Sequence, residues 1–256
     1  MFLANLYKYR ELLKTNIQKE IRGKYKGAWL GIIWSYLNPI LMLAVYTFVF
    51  SIIMKVEIEN YSSYLFVGLM PWSFFTATVS QSCLSVIVNG GIIKKVYFPR
   101  EIIPLSTVTA NVVNFLISMI IVLGFLLISG VGISWHILFF PVVLAVQYIL
   151  LLGIAFILSS ITVFARDLEH IVSVILMAGF YATPIVYDLN SVPPRFLKFL
   201  KLNPMSSIIQ SYRDILFYHR LPNMKMLGIV ALASFILFAI GYKIFKHLER
   251  SFVEEL

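Results

Sequence analysis

Residues 104–129 and 136–164 run without a single Asp, Glu, Lys or Arg. Each stretch exceeds the roughly 20 apolar residues that carry a helix across the hydrocarbon core of a bilayer. Backbone placed there must satisfy its own hydrogen bonds, so spans of this length are read as helices. The rest of the chain agrees, being 60% hydrophobic and only 13% charged, with a mean hydropathy of +0.88. A soluble domain of 256 residues would have too few charges to cover its surface. The expected fold is an all-α polytopic membrane protein. One domain over residues 1–256 is the simplest organisation, with no internal repeat, low-complexity run or Gly/Ser linker.

Six transmembrane helices are predicted, over residues 29–53, 64–88, 104–129, 136–164, 171–187 and 226–245. Ahead of them Phe2, Leu6, Tyr9, Leu13 and Ile17 recur at helical spacing, which predicts an amphipathic interface helix over residues 1–21. Its basic face would meet lipid phosphates, and no cleavable signal pattern is read in it. The formal charge of +9 would suggest nucleic acid in a soluble protein. Here the basic residues gather at span ends, so a membrane explains them and no nucleic acid is expected.

Loop charges set the orientation. Residues 54–63 carry Lys55 against Glu57 and Glu59, and residues 130–135 carry no charge. The opposite side holds the basic N-terminus, Lys94, Lys95, Arg100, Arg166, Lys243, Lys246 and Arg250. The positive-inside rule then places both termini in the cytoplasm. The fifth span is short and ends at Thr183-Pro184, and residues 184–225 continue as a patterned external unit. Asn203 and Pro204 predict a helix N-cap and first-turn proline. Met205, Ile208, Ile209, Tyr212, Ile215 and Leu216 then repeat with an amphipathic period around Arg213. A broken span followed by amphipathic pieces reads as re-entrant, which membranes tolerate only under a cover of protein or beside a water-filled cavity.

Chemistry within the chain is not expected. It has no GxxxxGK[ST] phosphate loop, no Cys or His pairs at metal spacing and no Gly-x-Ser-x-Gly elbow. Cys83 is the single cysteine, so no intrachain disulfide forms. No predicted span carries an ionisable residue near its middle, which disfavours an ion-driven carrier. Asn38, Gln81, Asn111, Asn114 and Gln147 have two readings, as lining of a polar path or as interhelical hydrogen bonds. The proline at Asn38-Pro39 kinks the first span, either as a hinge or as a structural bend. Trp29, Tyr36 and Phe50 share one face of that span, and Phe180 and Tyr181 stand at the end of the fifth. Such aromatics line a pathway or serve as packing and interfacial belt.

The segment after the second span, residues 89–103, breaks the apolar run with a charged hairpin. Lys94, Lys95, Tyr97, Phe98, Arg100 and Glu101 combine charge with an aromatic anchor, a mixture favoured at protein interfaces. Arg166 and Asp167 repeat it on a smaller scale after the fourth span. The alternative is a solvated turn with topogenic lysines.

Five stretches carry a family resemblance: GLMPWSFF, NGGIIKKVYFPREIIPLS, FARDLEHIV, ATPIVYDL and LNPMSSIIQSYRDILF. In this order they resemble the membrane subunit of type-2 ABC exporters, in the branch that exports O-antigen, teichoic acid and capsular polysaccharide. The resemblance implies a homodimer bound to two separate ABC ATPase subunits in the inner membrane. ATP and Mg would be bound by the partner and no cofactor by this chain. It implies that a lipid-linked polysaccharide crosses at the dimer interface past aromatic girdles, and that residues 89–103 couple to the ATPase. It also implies a periplasmic re-entrant unit that contains Pro184, Asn203, Pro204, Tyr212 and Arg213. The aromatics then acquire a use, since ring faces stack on the C–H faces of sugars. A type-2 drug exporter, a channel acting alone and a membrane scaffold remain rival readings.

Overall fold

The computed structural model describes residues 7–23, 33–49, 58–189 and 192–256. All regular structure in them is helical. In chain order the helices are α1 (Arg10–Gly23), α2 (Trp34–Thr47), α3 (Tyr61–Val88), α4 (Ile102–Ile128), α5 (Phe140–Phe164), α6 (Leu168–Tyr181), α7 (Pro194–Leu202), α8 (Pro204–Leu216) and α9 (Met224–Leu248). Single turns at Gly90–Ile93 and Phe252–Glu255 flank the hairpin and the C-terminus.

Three helical segments are long and apolar enough to cross a membrane: α4, α5 with its 3-10 lead from Trp135, and α9 with its C-terminal extension. The helices α2 and α6 are apolar but shorter, and the predicted first span is described only from residue 33 to residue 49. Helix α3 has 28 residues, about 42 Å at 1.5 Å per residue, but is more polar. Its position accounts for this, because α2, α4, α5, α6 and α8 all pack on it. Ser63, Thr78, Ser82 and Ser85 are buried along it. A helix wrapped in protein need not be apolar on every face: Thr78 donates to the Phe74 carbonyl at 2.7 Å and Ser85 to the Ser82 carbonyl at 2.9 Å, while Ser63 pairs with Ser129 at 2.9 Å.

Helices α5 and α9 approach closely along a glycine contact. A Cβ on Gly241 would stand 2.4 Å from the Gly153 carbonyl oxygen, and one on Gly153 would stand 2.8 Å from the Phe238 nitrogen. Small residues at such a crossing let two backbones touch, which is how helices gain packing energy in lipid. Helix α1 rests on α4, with Tyr9, Leu12 and Leu13 packed against the core. Protein therefore covers part of the apolar stripe that the sequence assigns to a lipid interface.

Helix α6, the predicted fifth span, stops at Tyr181, just ahead of Thr183-Pro184. Thr183 Oγ1 donates to the Gly179 carbonyl at 2.7 Å and closes the helix end. Asn203 caps α8 as predicted, its side-chain oxygen accepting from the Met205 N–H at 3.0 Å, with Pro204 in the first turn. Asn203 Nδ2 also donates to Thr183 Oγ1 at 2.9 Å, so the cap of α8 is fastened to the end of α6.

Candidate functional site

Three places in this bundle have functional geometry: the hairpin end, the break after α6 and a cavity beside α2. The hairpin end is assembled from segments distant in the sequence. Lys19 of α1 donates to Asn89 Oδ1 at 2.8 Å, and Asn89 Nδ2 donates to the Ser85 carbonyl at 2.8 Å. Glu101 is fully buried and forms an ion pair with Lys246 of α9, which also bonds Glu249 at 3.0 Å. Arg100 donates to the Glu249 carbonyl and lies 6.0 Å over the Phe252 ring.

The hairpin residues therefore divide between two roles. Lys94, Lys95 and Tyr97 face outward, with Tyr97 96% exposed. Phe98 and Glu101 point inward and anchor the hairpin, and Arg100 bridges it to the C-terminal segment. The core already occupies Phe98 and Lys246 occupies Glu101, so these two do not belong to the outward surface. Arg166 and Asp167 are exposed. They follow Phe164, whose ring meets Phe252 at 6.4 Å, so the second turn lies at the same end of the bundle. Sequence reading counted Lys246 only as a tail charge and missed Glu249 and Phe252. Their basic-acidic mixture in the last turns was the available signal.

At the break, Arg213 of α8 is completely buried. Its Nε donates to the Tyr64 carbonyl at 3.3 Å, its Nη1 to the Pro184 carbonyl at 2.5 Å and its Nη2 to the Ile185 carbonyl. The guanidinium also lies 3.6 Å over the Tyr64 ring. Gly68, one turn along α3, makes the space: a Cβ there would stand 2.5 Å from Arg213 Nη2. Pro184 thus ends a helix and exposes carbonyls that a cation from another helix satisfies. Tyr212 is buried too, packed against Phe115 and Phe140 at ring distances of 5.8 and 5.4 Å. The apolar stripe of α8 is buried, and Ser206, Ser211, Arg213 and Asp214 are buried along with it.

The third place is a cavity of about 670 Å³ between α2, α3 and α6. Tyr46, Trp72, Phe180 and Tyr181 line it together with Thr76, Ser80 and Ser173. Phe180 lies 5.8 Å from Tyr46, 6.2 Å from Trp72 and 5.4 Å from Tyr181, ring to ring. Gly179 leaves room for the indole, whose Cη2 lies 3.1 Å from where a Cβ would be. Phe180 and Tyr181 stand at the end of α6; Tyr46 was missed, and Trp72 entered only within the GLMPWSFF stretch. Trp29, Phe50 and the side chain of Tyr36 lie outside the described residues. Asn38 is exposed and Pro39 buried, and α2 runs on through Pro39.

The intramembrane amides also divide. Gln147 Nε2 donates to the Pro71 carbonyl at 2.9 Å, an interhelical bond between α5 and α3. Asn111 Nδ2 donates to Gln81 Oε1 at 2.8 Å. Asn38, Asn111 and Asn114 line a second cavity.

A long-helix bundle with a broken apolar helix, an aromatic cavity and a braced charged hairpin is a membrane protein of transporter build. The chain belongs to the ABC-2 type transporter family, whose profile matches residues 11–217. It is 36% identical over 256 residues to the O-antigen export system permease protein RfbA of Myxococcus xanthus, covering 99% of this chain and 98% of that one. To the protein of the same name from Klebsiella pneumoniae it is 37% identical over 248 residues, covering 96% and 95%. The polysialic acid transport protein KpsM of Escherichia coli is 21% identical over 240 residues, covering 91% and 92%.

Proposed function

We propose that this chain is the transmembrane subunit of an ATP-driven exporter that moves a lipid-linked, O-antigen-like polysaccharide across the inner membrane. The observation that carries the reading is the cavity walled by Tyr46, Trp72, Phe180 and Tyr181. Ring faces offer apolar contact to the C–H faces of successive sugars without gripping one hydroxyl pattern, which suits a chain that must slide. Full-length similarity to permeases named for O-antigen export supports the same cargo class.

The remaining parts of the reading follow. Six spans cross the membrane with both termini in the cytoplasm, two copies meet around the pathway, and two separate ABC ATPases bind ATP and Mg. Residues 89–103 dock on the ATPase through Lys94, Lys95 and Tyr97, while Arg166 and Asp167 extend that surface. Force passes inward through Phe98, Arg100 and Glu101, whose partner Lys246 lies on α9. Helix α9 is in backbone contact with α5, so the push reaches a paired unit rather than one helix. Residues 184–225 form the periplasmic re-entrant unit, held together by Arg213. The likeness to KpsM, named for polysialic acid transport, supports another exported polysaccharide as the second cargo reading, among which capsular polysaccharide and teichoic acid are the alternatives.

The test is reconstitution of the chain with its ATPase in vesicles loaded with a lipid-linked glycan. ATP-dependent appearance of glycan on the far side, absent with the chain alone, is expected. Transport without the ATPase, or stable preparations that never associate with one, would overturn the reading.

A further inference from the structure

The second cavity, of about 450 Å³, lies on the other flank of α2, between α2, α3 and α4. Its volume falls in the roughly 300–1,000 Å³ range of small-molecule sites. Asn38 of α2, Ser73, Thr76 and Ser80 of α3, and Asn114 and Ser118 of α4 supply hydrogen-bonding groups on three walls. Among the described residues, no Asp, Glu, Lys or Arg lines it. Trp34 and Phe74 add ring faces.

The polar groups there are only partly used. Ser118 Oγ donates to the Asn114 backbone carbonyl at 3.1 Å, and Thr76 Oγ1 to the Ser73 carbonyl at 3.1 Å, which leaves both hydroxyl oxygens able to accept. The side-chain oxygen of Asn114 is buried with no hydrogen-bond partner among the described residues. Unpartnered polar groups at membrane depth are costly, and a ligand recovers that cost once the Asn114 amide turns its oxygen toward the chamber. Thr76 and Ser80 line both cavities, so this chamber adjoins the aromatic one along α3.

We propose that this chamber is a side site that holds one neutral hexose-type ring of the cargo, beside the aromatic pathway. Amides and hydroxyls match ring hydroxyls, and the aromatic faces match C–H edges. With no cation among the described residues of the wall, a carboxylated sugar or a phosphate would leave its charge unneutralised there and is disfavoured, so the chamber selects among glycans. The proposal rests on the glycan-export reading above and adds a place and a charge preference to it.

The test uses Ser118→Cys and, from the opposite wall, Ser73→Cys, each in the full complex with its ATPase in nanodiscs. Cys83, wholly buried, serves as the internal blank. The rate of labelling by a small polar thiol reagent is measured with decyl glucoside, with decyl glucuronide and with a decyl amine oxide. Labelling of both new cysteines without amphiphile is expected, slowed about tenfold by saturating glucoside and unchanged by the other two. No labelling at either position, or equal slowing by all three amphiphiles, would overturn the site. ATP-driven glycan export by the unsubstituted complex is measured in parallel. Export with no sugar-specific protection refutes the side site alone, whereas loss of ATP dependence refutes the reading it rests on.

Discussion

Arg213 and Gly68 offer a sharp test of how the break is held. Replacing Arg213 by Met removes three hydrogen bonds to the carbonyls of Tyr64, Pro184 and Ile185. Charge-assisted bonds are worth about 1.5–3 kcal/mol each, a gross loss of about 4.5–9 kcal/mol. Removing a fully buried cation also relieves several kcal/mol of desolvation. The expected net destabilisation is about 3 kcal/mol, or roughly 6–12 °C in Tm for a chain of this size. Arg213→Lys should recover only part of it, because one ammonium cannot serve the planar fork that reaches all three carbonyls.

Gly68→Ala tests the same geometry from the opposite helix. Its methyl would stand 2.5 Å from Nη2, forcing the guanidinium off its acceptors, at about 1–3 kcal/mol. With Met at 213 that obstacle is gone, and the better helix propensity of Ala should make the same change neutral or stabilising by up to about 1 kcal/mol. The assay is a double-mutant cycle by thermal unfolding of the detergent-solubilised protein. If Gly68→Ala costs the same in both backgrounds, the glycine is not there to admit Arg213, and the account of the break fails.

Tyr97→Ala should leave Tm unchanged, because the side chain is almost wholly exposed, yet lower glycan export per ATP hydrolysed by the reconstituted complex. Glu101→Gln should cost about 1–3 kcal/mol, since it replaces the buried carboxylate that pairs with Lys246 by a neutral amide while Lys246 keeps Glu249. Limited trypsin digestion should then cut faster at Lys94, Lys95 or Arg100; an unchanged cleavage rate would show that the ion pair does not hold the hairpin. Gly241→Leu should drive α9 from α5 and prevent a monodisperse preparation, whereas Gly228→Leu, with open space at that position, should be tolerated in size-exclusion profiles.

Local rules made much of this protein legible from its sequence. Charge-free runs fixed α4 and α5 nearly to their ends, Thr183-Pro184 stopped α6, and Asn203-Pro204 capped α8, because helix length, proline and capping depend on neighbours in the chain. The hairpin followed from a charged interruption between apolar helices, though not which of its two aromatics, Tyr97 or Phe98, turns outward. Tertiary structure alone decided which residues turned inward. Arg213 meets the Tyr64 carbonyl 149 residues away, and Lys246 meets Glu101 across 145. No periodicity encodes such pairs, so a buried latch looked like a loop charge and a buried anchor like part of a surface. The same holds for the amides: Gln147 became an interhelical bond and Asn114 a cavity wall, because only packing determines whether a polar side chain at membrane depth finds a partner or a space.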